Sequence, residues 1–381
     1  MKGALLIKNA KIPRGESFER ADILCEGGII AEVSPEIKNA GCPEFDAGLR
    51  AVVPGFIDIH FHGRGGFDFC DASVDALEAI SRGKLAEGVT GMVPATLTLD
   101  YPDLKKAFLC AREFSERGGG GARLLGIHLE GPFINPEMAG AQNAKFARAC
   151  DISLVDSLDK IFKVLKVSYS IELDENLDFL RALSARKIAA SCAHSNAGFA
   201  AFEKAFRGGL RNITHFGNRV SPVASRDIGI AGAGLLFDDV YTEIIADKFH
   251  LSRDMLRLVF AKRPASKIVL ISDAMRASGM PGGVYSLGGL EVFAGGGCAR
   301  LKDGSLAGSV LKINEALKNV SEICGVKGER LFNCASLNPA QSLGIGGFGK
   351  IEKGYAADFA VIDENFGVEA SIVGGDVKYR A

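Results

Sequence analysis

The sequence lacks several features that would assign it to a simple class of protein. Its 45 lysines and arginines nearly balance 46 acidic residues, and a net charge of −1 gives no overall attraction for nucleic acid or an anionic membrane. No apolar run approaches the roughly 20 residues of a membrane span. The start, MKGALLIKNAKIP, has neither the apolar core nor the cleavage site of a signal peptide. The nine cysteines form no C-x-x-C pair, which favours a reduced, cytoplasmic compartment.

Histidine is also scarce, but every histidine lies in a short motif that could hold or serve a metal. The six are His60, His62, His128, His194, His215 and His250. Several have an acidic or amide residue close by, such as Asp58, Glu130 or Asn218. Imidazole and carboxylate groups are the usual ligands of Zn²⁺ and Fe²⁺. The pattern makes a metal-dependent enzyme the leading hypothesis.

From residue 52 onward, eight short apolar runs alternate with helical patterns. The runs are 52–62, 91–97, 124–130, 164–171, 188–194, 212–216, 241–246 and 268–273. Their spacing is too long for hairpins and suits βα units. We therefore expect a (β/α)₈ TIM-type barrel over residues 53–346. A doubly wound sheet is the alternative, but the early glycine-rich phosphate fingerprint that would support it is missing.

The two ends of the chain, residues 1–52 and 347–381, show a different pattern of short alternating strands and turns. Examples are 3–7, 22–26, 29–33, 358–363 and 372–379. Neither end has enough apolar residues for a core of its own, so we expect both to pair into one small β-sandwich domain. A glycine-rich hairpin over 285–300 is expected after the eighth strand. A helix should follow it, with Ser309 as the N-cap.

Candidate ligands fall at the ends of the predicted strands. His60 and His62 end the first run, Glu130 the third, His194 the fifth, His215 the sixth and Asp273 the eighth. The C-terminal ends of barrel strands converge on one mouth, where active sites of this fold lie. A histidine pair at positions i and i+2 of a strand points to one face, so both rings can reach the same ion.

Each motif has a competing structural interpretation. The H-x-H pair could be two half-buried histidines that face a polar cavity. Glu130 ends an apolar strand, where an unpaired carboxylate costs several kcal/mol, and either a cation or a basic residue on a neighbouring strand would remove that cost. His128 could equally be a ligand or a structural hydrogen-bonding group. Asp273 could bind metal, act as general base and then acid, or cap the following turn.

The motifs together resemble a known family. PGFIDIHFHG (54–63), GIHLEGPF (126–133), AHSNAG (193–198), NITHFGN (212–218) and ISDAM (271–275) occur in this order in the amidohydrolase superfamily. The HLEGP form in particular resembles N-acetylglucosamine-6-phosphate deacetylases. The closing stretches LNPAQSLGI (337–345) and GKIEKGYAADFAVID (349–363) resemble the superfamily's common ending.

The resemblance implies a set of site residues and one or two divalent ions, Zn²⁺ or Fe²⁺, per subunit. Glu130, His194 and His215 would bind the principal metal, and Asp273 would be the catalytic acid/base. His60 and His62 would contribute to a second metal. The substrate-binding positions implied are Ala141, Gln142, Asn218, Arg219, Arg226, His250, Leu306, Ala307 and Gly308. In the family the arginine matching Arg226 reaches a phosphate across a subunit interface, so a homodimer is expected.

The activity implied is deacetylation of N-acetylglucosamine-6-phosphate to glucosamine-6-phosphate and acetate, in amino-sugar catabolism or cell-wall recycling. The partner is then a small amino-sugar phosphate, with no nucleic acid and no membrane. Arg219 and Lys248 stand where the family has small residues, and we expect both cations near the site, where they suit an anionic substrate. Alternatives are N-acetylgalactosamine-6-phosphate, another linear or cyclic amide, or a metal-free barrel that only binds sugar phosphates.

Overall fold

The structure is a computed structural model that describes residues 4–38 and 41–381. Strands and helices alternate through the middle of the chain, and both ends are mainly strand, which makes the protein α/β. Gly3, in the expected strand 3–7, lies outside the described residues, and the first strand runs over Leu5–Arg14. No helix within 4–38 and 41–381 combines the length and apolar character needed to cross a membrane.

The middle of the chain contains two parallel sheets. One joins Phe56–Asp58, Val89–Met92 and Arg123–Leu124. The other joins, in chain order, Ile127–Glu130, Val164–Tyr169, Ala189–Cys192, Asn212–Ile213, Tyr241–Ile244 and Ile268–Leu270. Backbone hydrogen bonds connect the sheets on both sides, from Thr96 N to His128 O (2.9 Å) and from Asp273 N to His60 O (2.8 Å). Because the strands are parallel, all their carboxyl ends lie on one side of the molecule.

Helices, many of them amphipathic, cover these sheets. They are Val74–Leu85, Tyr101–Arg117, Ile152–Asp159, Asp178–Ala185, Phe199–Arg207, Gly229–Leu236, Arg253–Lys262, Ile313–Cys324, Gly328–Asn333 and Leu337–Ser342. In Tyr101–Arg117 the Asp100 side chain accepts from the N–H of Asp103, and the helix ends at Gly118, whose φ of 69° suits glycine. The expected N-cap at Ser309 is wrong. Ser309 instead pairs with Ala274 beside the last parallel strand, and the helix begins at Ile313.

Both ends of the chain share one continuous eight-stranded sheet. Its strands are Leu5–Arg14, Ser17–Glu26, Ile29–Ser34, Glu44–Asp46, Ala51–Pro54, Phe359–Ile362, Val368–Val373 and Asp376–Arg380. The join between the ends is the antiparallel pair Ala51–Pro54 and Phe359–Ile362. The edge strand Ile29–Ser34 also forms a bridge from Ile29 to Ala356, just before the strand Phe359–Ile362 in the middle of the sheet. The sheet is therefore strongly curved. It encloses a separate apolar cluster that includes Ile12, Ile23 and Phe359.

The expected first strand, 52–62, is divided between the two parts of the fold. Ala51–Pro54 pairs in the terminal sheet, two residues beyond the expected boundary at 52, and Phe56–Asp58 pairs in the parallel sheet. The division falls at Gly55, where a Cβ atom would lie 2.1 Å from Thr90 Oγ1. The chain passes so close to the neighbouring strand that only glycine fits.

The insertion after the last parallel strand has one more strand than the expected hairpin over 285–300. Gly283–Leu287, Leu290–Gly295 and Cys298–Arg300 form a three-stranded antiparallel sheet. Leu287 and Val292 from this sheet pack with Leu97, Met275 and Ala307 in a small apolar cluster. The insertion therefore lies beside the carboxyl ends of the parallel strands.

Candidate metal centre

The strand-end residues gather at one point. Glu130 is the last residue of its strand, and His60, His62, His194, His215 and Asp273 each follow a parallel strand by two to four residues. All six are buried. They fall into two sets of potential ligands: the first metal group, Glu130 with His194 and His215, and the second metal group, His60 with His62 and Asp273.

The first metal group has the spacing of ligands around one ion. Glu130 Oε1 lies 3.2 Å from His194 Nε2 and 3.2 Å from His215 Nε2, and the two nitrogens are 3.2 Å apart. Zinc bonds of about 2.0–2.1 Å in tetrahedral geometry place neighbouring ligand atoms about 3.3 Å apart. The three atoms therefore fit a divalent ion with a position left open for water.

The other oxygen of Glu130 faces the second metal group. Glu130 Oε2 lies 3.2 Å from His60 Nε2 and 3.2 Å from His62 Nε2. Asp273 Oδ1 is 3.6 Å and 3.4 Å from the same two nitrogens. One carboxylate thus stands between two sets of imidazoles, as a ligand shared by two ions would.

Hydrogen bonds on the far side of the rings fix which nitrogen faces the centre. His194 Nδ1 donates to the carbonyl oxygen of Met138 (2.9 Å), and His60 Nδ1 donates to Glu243 Oε2 (3.1 Å). Both partners can only accept, so in each ring Nδ1 carries a proton and Nε2 is the nitrogen directed at the centre. Within the described residues, His60 Nε2 has no hydrogen-bond partner. A buried ring nitrogen without a hydrogen-bond partner suits a metal ligand.

The charges favour a bound cation. Burial alone would raise the pKa of Glu130, but His60 and the other imidazoles hold that pKa well below its usual range. Burial lowers the pKa of His60, but the charges of Glu130 and Asp273 raise it to about 9. The pKa of Asp273 is lowered, because the nearby histidines outweigh its burial. Both carboxylates are therefore ionised at neutral pH.

Three of the six residues have a left-handed backbone. φ is 46° at His194, 33° at His215 and 47° at Asp273. Non-glycine residues in this region cost on the order of 1–3 kcal/mol each and concentrate at functional sites. Neighbouring backbone holds them in place, for example through the hydrogen bond from Asp273 N to His60 O. The turn after each strand directs its side chain inward.

His128 is not directed at either metal group. Its Nε2 lies 2.6 Å from Ser168 Oγ, and its ring packs edge-on against His60. Burial, followed by the charge of Lys166, holds the pKa of His128 well below its usual value, so the ring is neutral. This geometry favours the structural interpretation of His128 over ligation.

Sequence reasoning missed Glu243 and Lys166, which form a buried ion pair beneath His60. It also missed the buried pair of Lys84 with Asp58, which lies beside Ser272. The available signal was a single charged residue within an otherwise apolar run. Such a residue in a buried strand needs a partner of opposite charge.

A pocket opens directly above the metal groups. The predicted substrate positions that line it are Ala141, Gln142, Asn218, Arg219, His250, Leu306 and Gly308, together with His62, Glu130, His194, His215 and Asp273. Leu287 from the inserted sheet also lines the pocket and was not predicted. The pocket wall thus combines cationic and amide groups with a few apolar side chains.

Three expected residues are not among the described residues that line this pocket. Ala307 is buried behind it, and Arg226 lies in an exposed loop of the same chain. The expectation for Lys248 is wrong. Its φ is 72°, and its Nζ donates to Asn319 Oδ1 (3.0 Å) on the helix Ile313–Cys324. The cation therefore points to that helix rather than to the substrate pocket.

Hydrogen bonds orient the polar groups of the wall. Gln142 Nε2 donates to Glu130 Oε2 (3.0 Å), and Gln142 Oε1 accepts from Thr98 N (2.7 Å). His250 Nδ1 is 2.7 Å from Asp247 Oδ2, which leaves its Nε2 for a ligand. The Arg219 side chain passes over Gly140, where a Cβ atom would be 2.6 Å from Arg219 Nε.

Known proteins are similar to this chain over most of its length. The model of the amidohydrolase family matches residues 51–378. The N-acetylglucosamine-6-phosphate deacetylase of Bacillus subtilis (strain 168) is 35% identical over 390 residues, covering 100% of this chain and 98% of the relative. The N-acetylgalactosamine-6-phosphate deacetylase of Escherichia coli O157:H7 is 33% identical and covers 92% of each chain.

A solved structure is similar as well. That of N-acetylglucosamine-6-phosphate deacetylase from Thermotoga maritima has a TM-score of 0.89 and 32% identity, and it covers 99% of this chain and 100% of its own. The chain therefore belongs to the amidohydrolase family. Within that family it is similar, over its whole length, to the deacetylases of N-acetylated amino-sugar phosphates.

Proposed function

We propose that the protein deacetylates N-acetylglucosamine-6-phosphate to glucosamine-6-phosphate and acetate, in amino-sugar catabolism or cell-wall recycling. The observation that carries this proposal is the position of Glu130 between two histidine pairs, beneath a pocket lined by Arg219 and His250. Full-length similarity to enzymes named for this reaction supports the substrate. N-acetylgalactosamine-6-phosphate is the second candidate, because one relative of comparable identity is named for it.

We infer that the first metal group holds one divalent ion, Zn²⁺ or Fe²⁺, and that the second metal group holds another. Glu130 would contribute one oxygen to each. When bound, the metal supplies a water molecule whose pKa is lowered from about 15.7 to about 7, so that a nucleophile exists at neutral pH. The ligand distances and the unpartnered Nε2 of His60 support this assignment.

The remaining chemistry is assigned to Asp273 and Gln142. Asp273 accepts the proton of the attacking water and delivers it to the nitrogen as the carbon–nitrogen bond of the acetamide breaks. Gln142 Nε2 uses one hydrogen for Glu130 Oε2, and its second hydrogen is left for the oxygen of the acetyl group as negative charge develops there. The products are acetate and a protonated amine.

The phosphate is assigned first to Arg219, which lines the pocket of its own chain. Arg226 is exposed and outside that pocket, so we propose that it contributes across a homodimer interface. A cytoplasmic location is proposed because all nine cysteines, each within the described ranges, are free thiols.

We also infer that the two parallel sheets close into one (β/α)₈ barrel over residues 55–346. Hydrogen bonds between the sheets on both sides support this closure. The terminal sheet would form a small β-sandwich domain from residues 1–54 and 347–381, which moves the expected boundary by two residues to include the pair of Pro54 with Phe359.

Acetate release from N-acetylglucosamine-6-phosphate by the purified protein, with and without chelator, tests the proposal. We expect release that stops on chelation and returns when Zn²⁺ or Fe²⁺ is restored. N-acetylgalactosamine-6-phosphate and unphosphorylated N-acetylglucosamine are the comparison substrates. Faster acetate release from N-acetylgalactosamine-6-phosphate would identify that compound as the substrate instead. A protein without tightly bound metal and without acetate release would be a binding barrel instead.

A further inference from the structure

Lys166 and Glu243 form an ion pair inside the sheet, beneath the metal groups. Lys166 lies on Val164–Tyr169 and Glu243 on Tyr241–Ile244, and they are 1% and 2% exposed. Lys166 Nζ donates to Glu243 Oε1. Buried ion pairs contribute little to stability compared with apolar residues of the same size, because both charges lose their hydration. Stabilisation of the fold is therefore a weak explanation for this ion pair. Its position beneath the metal groups suggests a role at the site instead.

The second oxygen of Glu243 faces a proposed ligand. Glu243 Oε2 accepts from Nδ1 of His60 at 3.1 Å, and Nε2 of the same ring lies 3.2 Å from Glu130 Oε2. The carboxylate fixes the tautomer and the ring plane together. Lys166 occupies Oε1 and so leaves Oε2 for His60; the same Oε2 also accepts, at 3.4 Å, from the backbone N–H of His215 in the first metal group. The three side chains form a line from the interior of the sheet to the second metal group.

The two metal groups differ in what stands behind their histidines. His194, in the first metal group, donates to a neutral backbone carbonyl at Met138. His60 donates to a side-chain carboxylate, which Lys166 pairs at its other oxygen. A carboxylate behind an imidazole makes the opposite nitrogen a stronger donor to a metal, and loss of such a partner typically costs 10–100-fold in metal affinity.

We propose that Glu243, held by Lys166, is a positioning residue that orients His60 and strengthens its bond to an ion in the second metal group. The proposal rests on the metal assignment made under the proposed function. It predicts a larger effect on the second metal group, where Glu243 holds the ring of a ligand, than on the first, where it contacts only the backbone N–H of His215. A purely structural ion pair would change stability without distinguishing between them.

Two double variants isolate the hydrogen bond from the ion pair. Lys166→Met/Glu243→Gln removes both charges but keeps an oxygen that can accept from His60. Lys166→Met/Glu243→Met removes the charges and the acceptor together. Neither leaves a buried charge unpaired, so both are designed to fold. A matched control is Asp174→Asn, a buried carboxylate that accepts from Phe179 N and Leu180 N on a distant helix.

The experiment is titration of chelator-treated full-length protein with Co²⁺, followed by calorimetry and by the visible absorption of bound cobalt. We expect two ions in the wild type. In the Met/Met variant the affinity for one ion should fall about 10–100-fold, while the Met/Gln variant stays within a few-fold of wild type. The affinity for the other ion should change by no more than a few-fold in any variant, because Glu243 contacts the first metal group only through the backbone N–H of His215. Asp174→Asn should lower the unfolding temperature and leave both affinities unchanged.

Equal affinities in the two double variants would overturn the proposal, as would a parallel loss of both ions or a wild type that binds one ion only. Acetate release by the wild type is measured separately. A wild type that releases no acetate, with the expected difference between the double variants, would overturn the proposed function and support the positioning role. A wild type that releases acetate, with no difference between the double variants, would support the proposed function and overturn the positioning role.

Discussion

The Nε2 atoms of His194 and His215 lie 3.2 Å apart in the protein interior. His194 uses its Nδ1 hydrogen for Met138, so its Nε2 faces the gap between the rings. Burial, only partly opposed by Glu130, lowers the pKa of His215, so this ring is neutral. Glu130 Oε1 lies 3.2 Å from both nitrogens. Several electron-rich atoms thus meet at one point, and a cation there relieves their repulsion.

Removal of metal should therefore lower stability as well as activity. An ion present at about 100 times its dissociation constant adds roughly 2.7 kcal/mol to the free energy of unfolding. We expect the chelated protein to unfold several degrees lower in a thermal scan, and added Zn²⁺ to restore the loss. His194→Ala is the control, since its first metal group is incomplete and Zn²⁺ should restore less. Identical unfolding temperatures with and without chelator would contradict the metal assignment.

Asp273→Asn should separate metal binding from catalysis. The substitution keeps the size of the side chain but removes the group that accepts and returns the proton. We expect the ion of the first metal group to remain, because Asp273 is not part of that group, and turnover to fall roughly 10²-fold or more. Metal analysis and acetate release on the same sample test this. Turnover near the wild-type value would remove Asp273 from the acid/base role.

Arg219→Ala should weaken recognition of the phosphate. A hydrogen bond to a charged group contributes about 1.5–3 kcal/mol, so KM for N-acetylglucosamine-6-phosphate should rise by roughly 10-fold or more, with a smaller change in kcat. Release from unphosphorylated N-acetylglucosamine should not change. Arg207→Ala, on an exposed helix face beside Glu203, is the matched control. An equal loss with both substrates would show that Arg219 shapes the pocket rather than holding the phosphate.

The convergence of the strand-end side chains can be predicted from the sequence, because one rule of topology does not depend on the conformation of any loop. Parallel strands have their carboxyl ends on the same side, so Glu130, His194, His215 and Asp273 are predicted to converge without knowledge of any turn. The positive φ angles that aim three of them inward leave no trace in the sequence. The same limit explains Lys248, whose φ of 72° turns its side chain towards Asn319.

The pairing of Glu243 with Lys166 lies beyond sequence reasoning for a different reason. The two residues are 77 positions apart and on strands that are not neighbours. A charged residue in an apolar run indicates that some partner exists, but the partner depends on which side chains point into the sheet interior. The division at Gly55 is likewise set by the approach of Thr90 from the next strand. A local sequence pattern predicts a single strand, whereas both of these features depend on contacts between residues of two different strands.

The second metal group should bind its ion more strongly as the pH rises. Although burial lowers the pKa of His60, Glu130 and Asp273 raise it to about 9, so without a cation the ring holds a proton at pH 7. An ion must displace that proton, so affinity should increase about tenfold per pH unit for each proton released, up to about pH 9. The pKa of His62 is also raised, because the contacts with Asp273 and Glu130 outweigh its burial, and this adds a second proton. In the first metal group the pKa of His215 is lowered, so that ring has no proton to release above pH 7.

Calorimetric titrations at pH 7, 8 and 9, in buffers with different heats of ionisation, would give the affinity and the proton count for each ion. Equal pH slopes for the two ions would contradict the assignment of the proton to His60.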